Sequence, residues 1–548
     1  MKKILYKLST LVMIVGLSMD SCDFFELDLT SDPNYLKPED ASLDGYLNSL
    51  QINLVHFLND PEPVQWNGMN KFGMELTRMT YLFGATYSNA YTPSNFDGVW
   101  YTAYEILSDA HTLIPEAEEQ GMYVHEGLAK IISGYVLATM VDFFGDVPFS
   151  ESFDPANLNP HVDDQAELYD YILGLYDEAI ADLDRTSSGM PSTDLFYNGD
   201  VSKWITLTKT LKLKMYLNRR LIDAAGSKTA IDALIAGGDL IDEESEDFIF
   251  NYSTNDVDPD CRHPYFTYNY LAGANDYMSN YFMWTLYAEK NMMDPRIRYY
   301  FYRQSLTISE DINELPCVAS VKPAHYPDFM PFCALDEGYW GRDHLDPDGI
   351  PPDTELRTLF GLYPAGGKFD DNSGEVGSQT SGAMGAGMEV IVLSSFVDFM
   401  KAEAALTLGT TGSPRDLLLS GVQKSLDKVR NFKSSLVNQD YITEGSFTAY
   451  VDTVASLYDA ATNDHERLEV LVKEYYIALF GNGVETYNLV RRTTMPSNLQ
   501  PALDAEPGEF YRTLKYPSVH TNLNSNAAQK PSNGVQVFWD INPAGAIE

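Results

Sequence analysis

Cysteine is scarce: four in 548 residues. One, Cys22, stands alone at the edge of an apolar run. The other three, Cys261, Cys317 and Cys333, allow at most one internal bridge and match no zinc-binding spacing. With 44% apolar residues the chain has enough core to fold without bridges, which sets aside a disulfide-dependent scaffold. Positive charge is scarce too. Lysine and arginine number 37 against 79 aspartates and glutamates, for a formal charge of -42. Such a chain repels phosphate backbones, so nucleic-acid binding would need a basic groove. The one basic stretch, Lys203, Lys209, Lys212, Lys214, Arg219 and Arg220, is spread along a predicted helix and reads as a solvated or salt-bridged face. Long apolar runs are missing as well. Leu8 to Met19 falls short of the ~20 residues a membrane-spanning helix needs, and no later run is long or dry enough.

Motifs for chemistry are equally sparse. No Gly-x-Ser-x-Gly elbow is present. None of the nine histidines forms a His-Glu-x-x-His pair, and "HERLE" at His465 reads as a helix start. "GLYPAGGK", ending at Lys368, resembles a phosphate loop but has one residue too many, and Phe369 stands where Ser or Thr must meet magnesium. "GAMGAG" (382–387) reads as a turn before a helix. "DPDG" (346–349) lacks the further ligands of a calcium loop and reads as a turn. A pair of carboxylates at glycosidase distance would arise by chance among so many acids, so a secreted glycoside hydrolase stays open only as a lesser alternative. No cofactor and no metal site is expected.

What is there begins at the N-terminus. Lys2, Lys3 and Lys7 precede the short apolar stretch, the pattern of a secretory signal. It ends at Ser21-Cys22, which resembles a bacterial lipoprotein box, with Met19 and Asp20 as departures. The resemblance implies a signal peptide over 1–21, acylation of Cys22 and a lipidated tether over 22–37.

Helical periodicity then dominates. Trp100, Ala103, Tyr104, Leu107, Ala110 and Ile114 share one face; so do Leu128, Ile131, Ile132, Tyr135, Ala138 and Thr139. Asp164, three residues before Glu167, predicts a helix start, followed by the stripe Leu168, Ile172, Leu175, Ala179. Trp204, Thr208, Leu211 and Met215 follow on another helix. Trp100 and Trp204 therefore read as core. Residues 240–386 differ: they are rich in Pro, Gly, Asp and Tyr, the chemistry of long loops and short strands. Helices resume with "MEVIVLSSFVDFMKAEAALTL". The expected fold is mostly α: a tetratricopeptide-like helical-hairpin scaffold (38–239 and 387–548) carrying a large loop-rich insert (240–386) with short strands.

Several stretches, taken in order, add up to a resemblance. "AKIISGYVLATMVDFFGDVPFSESF" (129–153) resembles a signature of the SusD/RagB family of surface nutrient-binding lipoproteins. "ELYDYILGLYDEAIADL", "DLFYNGDVSKWITLTKTLKLKMYLNRR", "MDPRIRYYF", "SSFVDFMKAEAAL", "EYYIALFGNGVETYNLVRRTTMP", "LKYPSVHTNLNSN" and "VQVFWD" resemble its later segments. The resemblance implies a lipid-anchored protein on the outer face of the outer membrane that caps a TonB-dependent transporter. Such a protein captures oligosaccharides, or in some members peptides, and does no chemistry.

Sugar rings offer apolar C–H faces to flat aromatic side chains. Aromatics outside the helical stripes are therefore the candidate ligand contacts: Trp66, Tyr87, Tyr91, Tyr268, Tyr270, Tyr339 and Trp340, with Arg342 beside the last two. In the resembling family the ligand face uses an early loop and the central insert, where these residues lie.

Overall fold

The computed structural model describes residues 42–60, 67–271, 276–348 and 356–547. Cys22, the signal and tether segments, and Trp66 lie outside the described residues. Helices of eight or more residues are numbered here. The N-terminal part contains α1 (Leu43–Leu58), α2 (Met69–Leu76), α3 (Asp97–Gln120), α4 (Tyr123–Phe144), α5 (Gln165–Leu183), α6 (Val201–Asn218) and α7 (Ala224–Gly237). Then come β1 (Phe248–Asn251), α8 (Asn280–Tyr287), β2 (Phe301–Tyr302), β3 (Leu359–Phe360) and β4 (Met388–Val392). The C-terminal part contains α9 (Ser394–Leu408), α10 (Pro414–Asn431), α11 (Glu444–Ala460), α12 (Asp464–Ala478) and α13 (Gly483–Thr493).

Neighbouring helices pack as pairs: α3 on α4, α4 on α5, α9 on α10 and α9 on α12. The centre is α4, buried along nearly its whole length. This burial explains why its composition would suit a membrane span, although the protein itself covers it. Two glycines seven residues apart let α5 approach: a Cβ on Gly127 would meet Leu183 at 2.8 Å, and one on Gly134 would meet the Tyr176 ring at 2.6 Å. Asp164 caps α5 by accepting from the N–H of Ala166 and Glu167 at 2.9 and 3.1 Å, which satisfies two helix-start donors. Trp204 is fully buried and donates its indole N–H to Asp194 at 2.9 Å.

Buried polar groups tie distant segments together. Asp142, at the end of α4, accepts from Asn488 on α13 at 2.7 Å, from the indole N–H of Trp539 at 2.9 Å, and from the Tyr169 hydroxyl on α5. Glu403 on α9 receives Arg220 and Arg492 at 2.9 and 2.8 Å. Removing one partner of such a buried pair leaves an uncompensated charge. Helices α2 and α13 cross at glycines: a Cβ on Gly73 would lie 1.9 Å from the carbonyl oxygen of Gly483, and one on Gly483 would lie 1.8 Å from that of Asn70.

The segment between α7 and α9 is mostly loop. It contains two small antiparallel sheets, β1 with β4 and β2 with β3. Two local expectations are corrected. "GAMGAG" turns into a strand rather than a helix, and "MEVIV" is β4, not the start of α9. Every residue of β4 is buried, and a short, fully buried apolar run has no periodicity to separate strand from helix.

Candidate functional site

The segment after α2 and the chain around residue 340 lie side by side. The Tyr81 N–H donates to the carbonyl of Tyr277 at 3.1 Å, Leu345 N–H donates to that of Leu82 at 3.1 Å, and Phe83 pairs with Asp346. The Tyr81 hydroxyl donates to the carbonyl of Asp346 at 2.7 Å. Beneath them is a satellite core of Tyr81, Tyr277, Leu315, Cys333 and Trp340, separate from the main core. Cys317 and Cys333 are joined as a disulfide, with Cα atoms 5.5 Å apart, and Cys261 is free. This is the single bridge that the cysteine count permitted.

Of the rings expected to contact ligand, those among the described residues (Tyr87, Tyr91, Tyr268, Tyr270, Tyr339 and Trp340) are buried, and this corrects their expected exposure. Trp340 is at 0% exposure and Tyr339 at 1%. The Arg342 guanidinium lies over the Tyr277 ring at 4.1 Å and donates to the Tyr277 hydroxyl at 3.1 Å. The Arg303 guanidinium covers Tyr339 at 4.6 Å. Tyr87 accepts from Arg78 at 2.9 Å and sits 3.0 Å from Nε2 of His344. Tyr91 donates to the Glu75 carboxylate. Tyr270 donates to the carbonyl of Phe360 and accepts from Lys368 N–H, both at 2.8 Å; Tyr268 is also buried. The physical reason is that an aromatic-rich loop region this large builds its own core, in which the Tyr87, Tyr91 and Tyr270 hydroxyls hydrogen-bond to neighbours. Tyr339, Trp340 and Arg342 do stand together. Tyr87 and Tyr91 form another cluster with Phe510 and Tyr511, and Tyr270 a third with Phe266, Tyr302 and Leu359.

Other rings are exposed. Phe83 is 52% exposed and meets Tyr81 edge-on at 6.4 Å, so it forms the open end of the aromatic series that leads to Tyr277 and Trp340. Phe329, 56% exposed, stacks on half-buried Trp284 of α8 with centroids 5.8 Å apart. Phe329 lies within the loop closed by the disulfide. Lys322 braces that loop by donating to the carbonyls of Asp328 and Met330 at 2.8 and 3.1 Å. One helical turn from Trp284, Tyr281 donates to Asn498 at 3.1 Å, and Lys473 joins Tyr281, Glu289 and Asn498 in a largely buried polar network. Phe83, Trp284 and Phe329 were not among the candidates read from the sequence. The signal for Phe83 was Gly84, whose φ of +128° turns the chain immediately after it.

Burial shifts the titratable groups beneath this region away from their ordinary values. Burial pushes the Asp343 carboxyl up to about 6 against its bonds from Cys333 N–H and Gln500. Burial raises Glu75 to about 7, with nearby Lys71 opposing. Burial, and then the Arg78 charge, keep His344 far below the ordinary histidine range. These groups lie under the aromatics as structural support; their hydrogen bonds run to the protein. Among the described residues no group of three or more His, Cys, Asp or Glu is arranged to hold a metal ion.

The comparisons agree with this architecture. Residues 38–315 match the family model described as "Starch-binding associating with outer membrane", and residues 366–536 match the one described as "Susd and RagB outer membrane lipoprotein". No curated protein sequence matches the chain. Among solved structures, a SusD/RagB family protein from Bacteroides thetaiotaomicron is 20% identical with a TM-score of 0.65, covering 92% of this chain and 100% of its own. A SusD homologue from Bacteroides uniformis is 18% identical, TM-score 0.65, covering 91% and 99%. A chitin-binding SusD homologue from Flavobacterium johnsoniae is 17% identical, TM-score 0.62, covering 92% and 99%. At these identities the structures establish the fold, and the family models, which together span most of the sequence, establish the kinship. The chain belongs to the SusD/RagB family of outer-membrane lipoproteins, which bind nutrients and do not transform them.

Proposed function

We propose that this protein captures an oligosaccharide on the aromatic patches carrying Phe83 and the Trp284–Phe329 pair. It then delivers the sugar to a TonB-dependent outer-membrane transporter, over which it acts as a lid. The observation that carries the reading is the exposure of rings on a rigid buried support. Phe83 and Phe329 are each more than half exposed in the loop-rich region, while Trp340, Tyr339 and Arg342 are locked beneath. In this reading the buried residues position the face, and Trp66, from the early segment, is a further contact. The anchor is acylated Cys22, and residues 22–37 form the tether that lets the lid swing. The strong negative charge disfavours an anionic ligand, and the structural relative from Flavobacterium johnsoniae is a chitin-binding SusD homologue.

Covering ~100 Å² of apolar area on one ring contributes roughly 2–3 kcal/mol, whereas association costs an estimated 4–15 kcal/mol. Several rings and hydroxyl hydrogen bonds must act together, so short sugars bind poorly. Affinity electrophoresis through gels containing soluble chitin derivatives, starch or other polysaccharides tests this directly. Retardation by at least one polysaccharide, lost in Phe83→Ala or Phe329→Ala, is expected. Retardation that neither substitution changes would put the site elsewhere. Binding of peptides alone would favour the peptide-binding branch of the family.

A further inference from the structure

A cleft of about 610 Å³ opens between α3, α4 and α5 and shares no residue with the aromatic patches. One wall is aromatic. The Phe149 ring meets Phe153 edge-on at 5.6 Å and half-exposed Tyr171 at 5.1 Å, and His111 stacks on Phe153 at 4.7 Å. The other wall is acidic. Lys130 Nζ lies 2.9 Å from Glu126, 3.3 Å from Glu178 and 2.7 Å from Asp182, and Glu118 also lines the cleft. Arg185 pairs with Asp182 at 3.3 Å from outside the lining. Lys130 is thus the only lysine or arginine on the walls, against four carboxylates.

Glu126 is the decisive group. It is 2% exposed, its Oε1 accepts from Lys130, and its buried Oε2 meets no partner. A buried acceptor left this way is costly unless a donor visits it, and this one belongs to the cleft wall. The same wall already holds one ammonium: burial works against the charge on Lys130, yet Asp182 and Glu126 outweigh it and hold that amine above its ordinary value.

We propose that this cleft binds an organic ammonium, a protonated amine on an apolar or aromatic body. The amine donates to Glu126 Oε2 and faces Glu178, while the body lies against Phe149, Phe153 and Tyr171. Ring faces attract a nearby cation as well as covering the apolar body. The site is separate from the proposed nutrient face and does not depend on it.

The probe is benzylamine, with benzyl alcohol as its uncharged counterpart, titrated into the full chain by calorimetry and by saturation-transfer NMR. Benzylamine should bind, more weakly as salt rises, and benzyl alcohol at least about tenfold less well, as expected for a charge-assisted hydrogen bond. Glu178 is mostly exposed, so Glu178→Gln keeps the fold and should weaken benzylamine about three- to fivefold. Glu126→Gln should weaken it further, and Tyr171→Ala should weaken amine and alcohol alike. The proposal is overturned by an absence of benzylamine binding, by equal binding of the alcohol, by affinity unchanged in a folded Glu126→Gln, or by affinity unchanged in both Glu178→Gln and Tyr171→Ala. Should Glu126→Gln not fold, those two variants decide.

Discussion

Reducing the Cys317–Cys333 bridge should loosen the loop that presents Phe329. The bridge closes a sequence separation of 16 residues, and a loop of about 15 residues is worth ~3 kcal/mol in the chain-entropy account. For ~500 residues, an unfolding entropy of about 2.1 cal/mol/K per residue gives roughly 1 kcal/mol per degree at the midpoint, so a cooperative transition should fall by about 3 °C. The local effect should be larger. Cys333 packs in the satellite core with Trp340 and Tyr277, while Val318, Val321 and Phe329 within the loop are exposed. Once the bridge is gone, Lys322 and the Trp284 stack hold the loop. Calorimetry of wild type with and without reductant, beside Cys317→Ser/Cys333→Ser, measures the global term. Limited proteolysis mapped by mass spectrometry measures the local one, with new cleavage expected between 318 and 332. An unchanged midpoint together with an unchanged digestion pattern would refute the reasoning, because it would mean that the bridge constrains nothing the fold does not already fix.

Three further outcomes follow from the same physics. Gly483→Ala should destabilise by about 3 kcal/mol or more, since its Cβ would lie 1.8 Å from the Asn70 carbonyl and overpacking of this kind typically costs 1–3 kcal/mol; urea unfolding checks it. Glu389, buried and facing Asn59, Asn70 and Tyr252, is pushed by burial to about 7 from 4.5. Its folded-state value is the higher one, so the stabilisation it gives is complete below pH 4.5 and lost as pH rises through 7. Glu389→Gln should therefore gain roughly 3 kcal/mol relative to wild type between those limits. His263 and His520, whose values fall to about 3 and 4 on burial, act in the opposite sense, so the two proteins are compared at each pH. Finally, Cys22→Ala should release the protein from the membrane fraction, and labelled palmitate should enter the wild type alone.

The scaffold was legible because helices advertise themselves. The stripe Trp100 to Ile114 sits on α3 with its centre buried, and Asp164 caps α5 as its spacing predicts. β4 was not legible, because burial on all sides erases alternation. The bridge was limited to one by counting, but its partners were not, since Cys261, Cys317 and Cys333 allow three pairings and only the fold brings two together. The exposed rings of the proposed site lie in the same loop-rich regions as the sequence candidates, whereas the described candidates themselves are buried. Trp340 and Phe83 both lie in aromatic, glycine-marked loops, and nothing local distinguishes the ring that supports from the ring that faces solvent. That distinction is made by Tyr81 and Tyr277, which reach Trp340 from elsewhere in the chain.

In the proposed function, exposed rings on a buried aromatic support capture an oligomeric sugar. Calorimetry with an oligosaccharide series of increasing length, on wild type and on Phe83→Ala/Phe329→Ala, tests it most directly. Affinity should rise with length in the wild type, and each lost ring face should cost roughly 2–3 kcal/mol. Full affinity in the double variant, or monosaccharides binding as tightly as the longest chain, would contradict it.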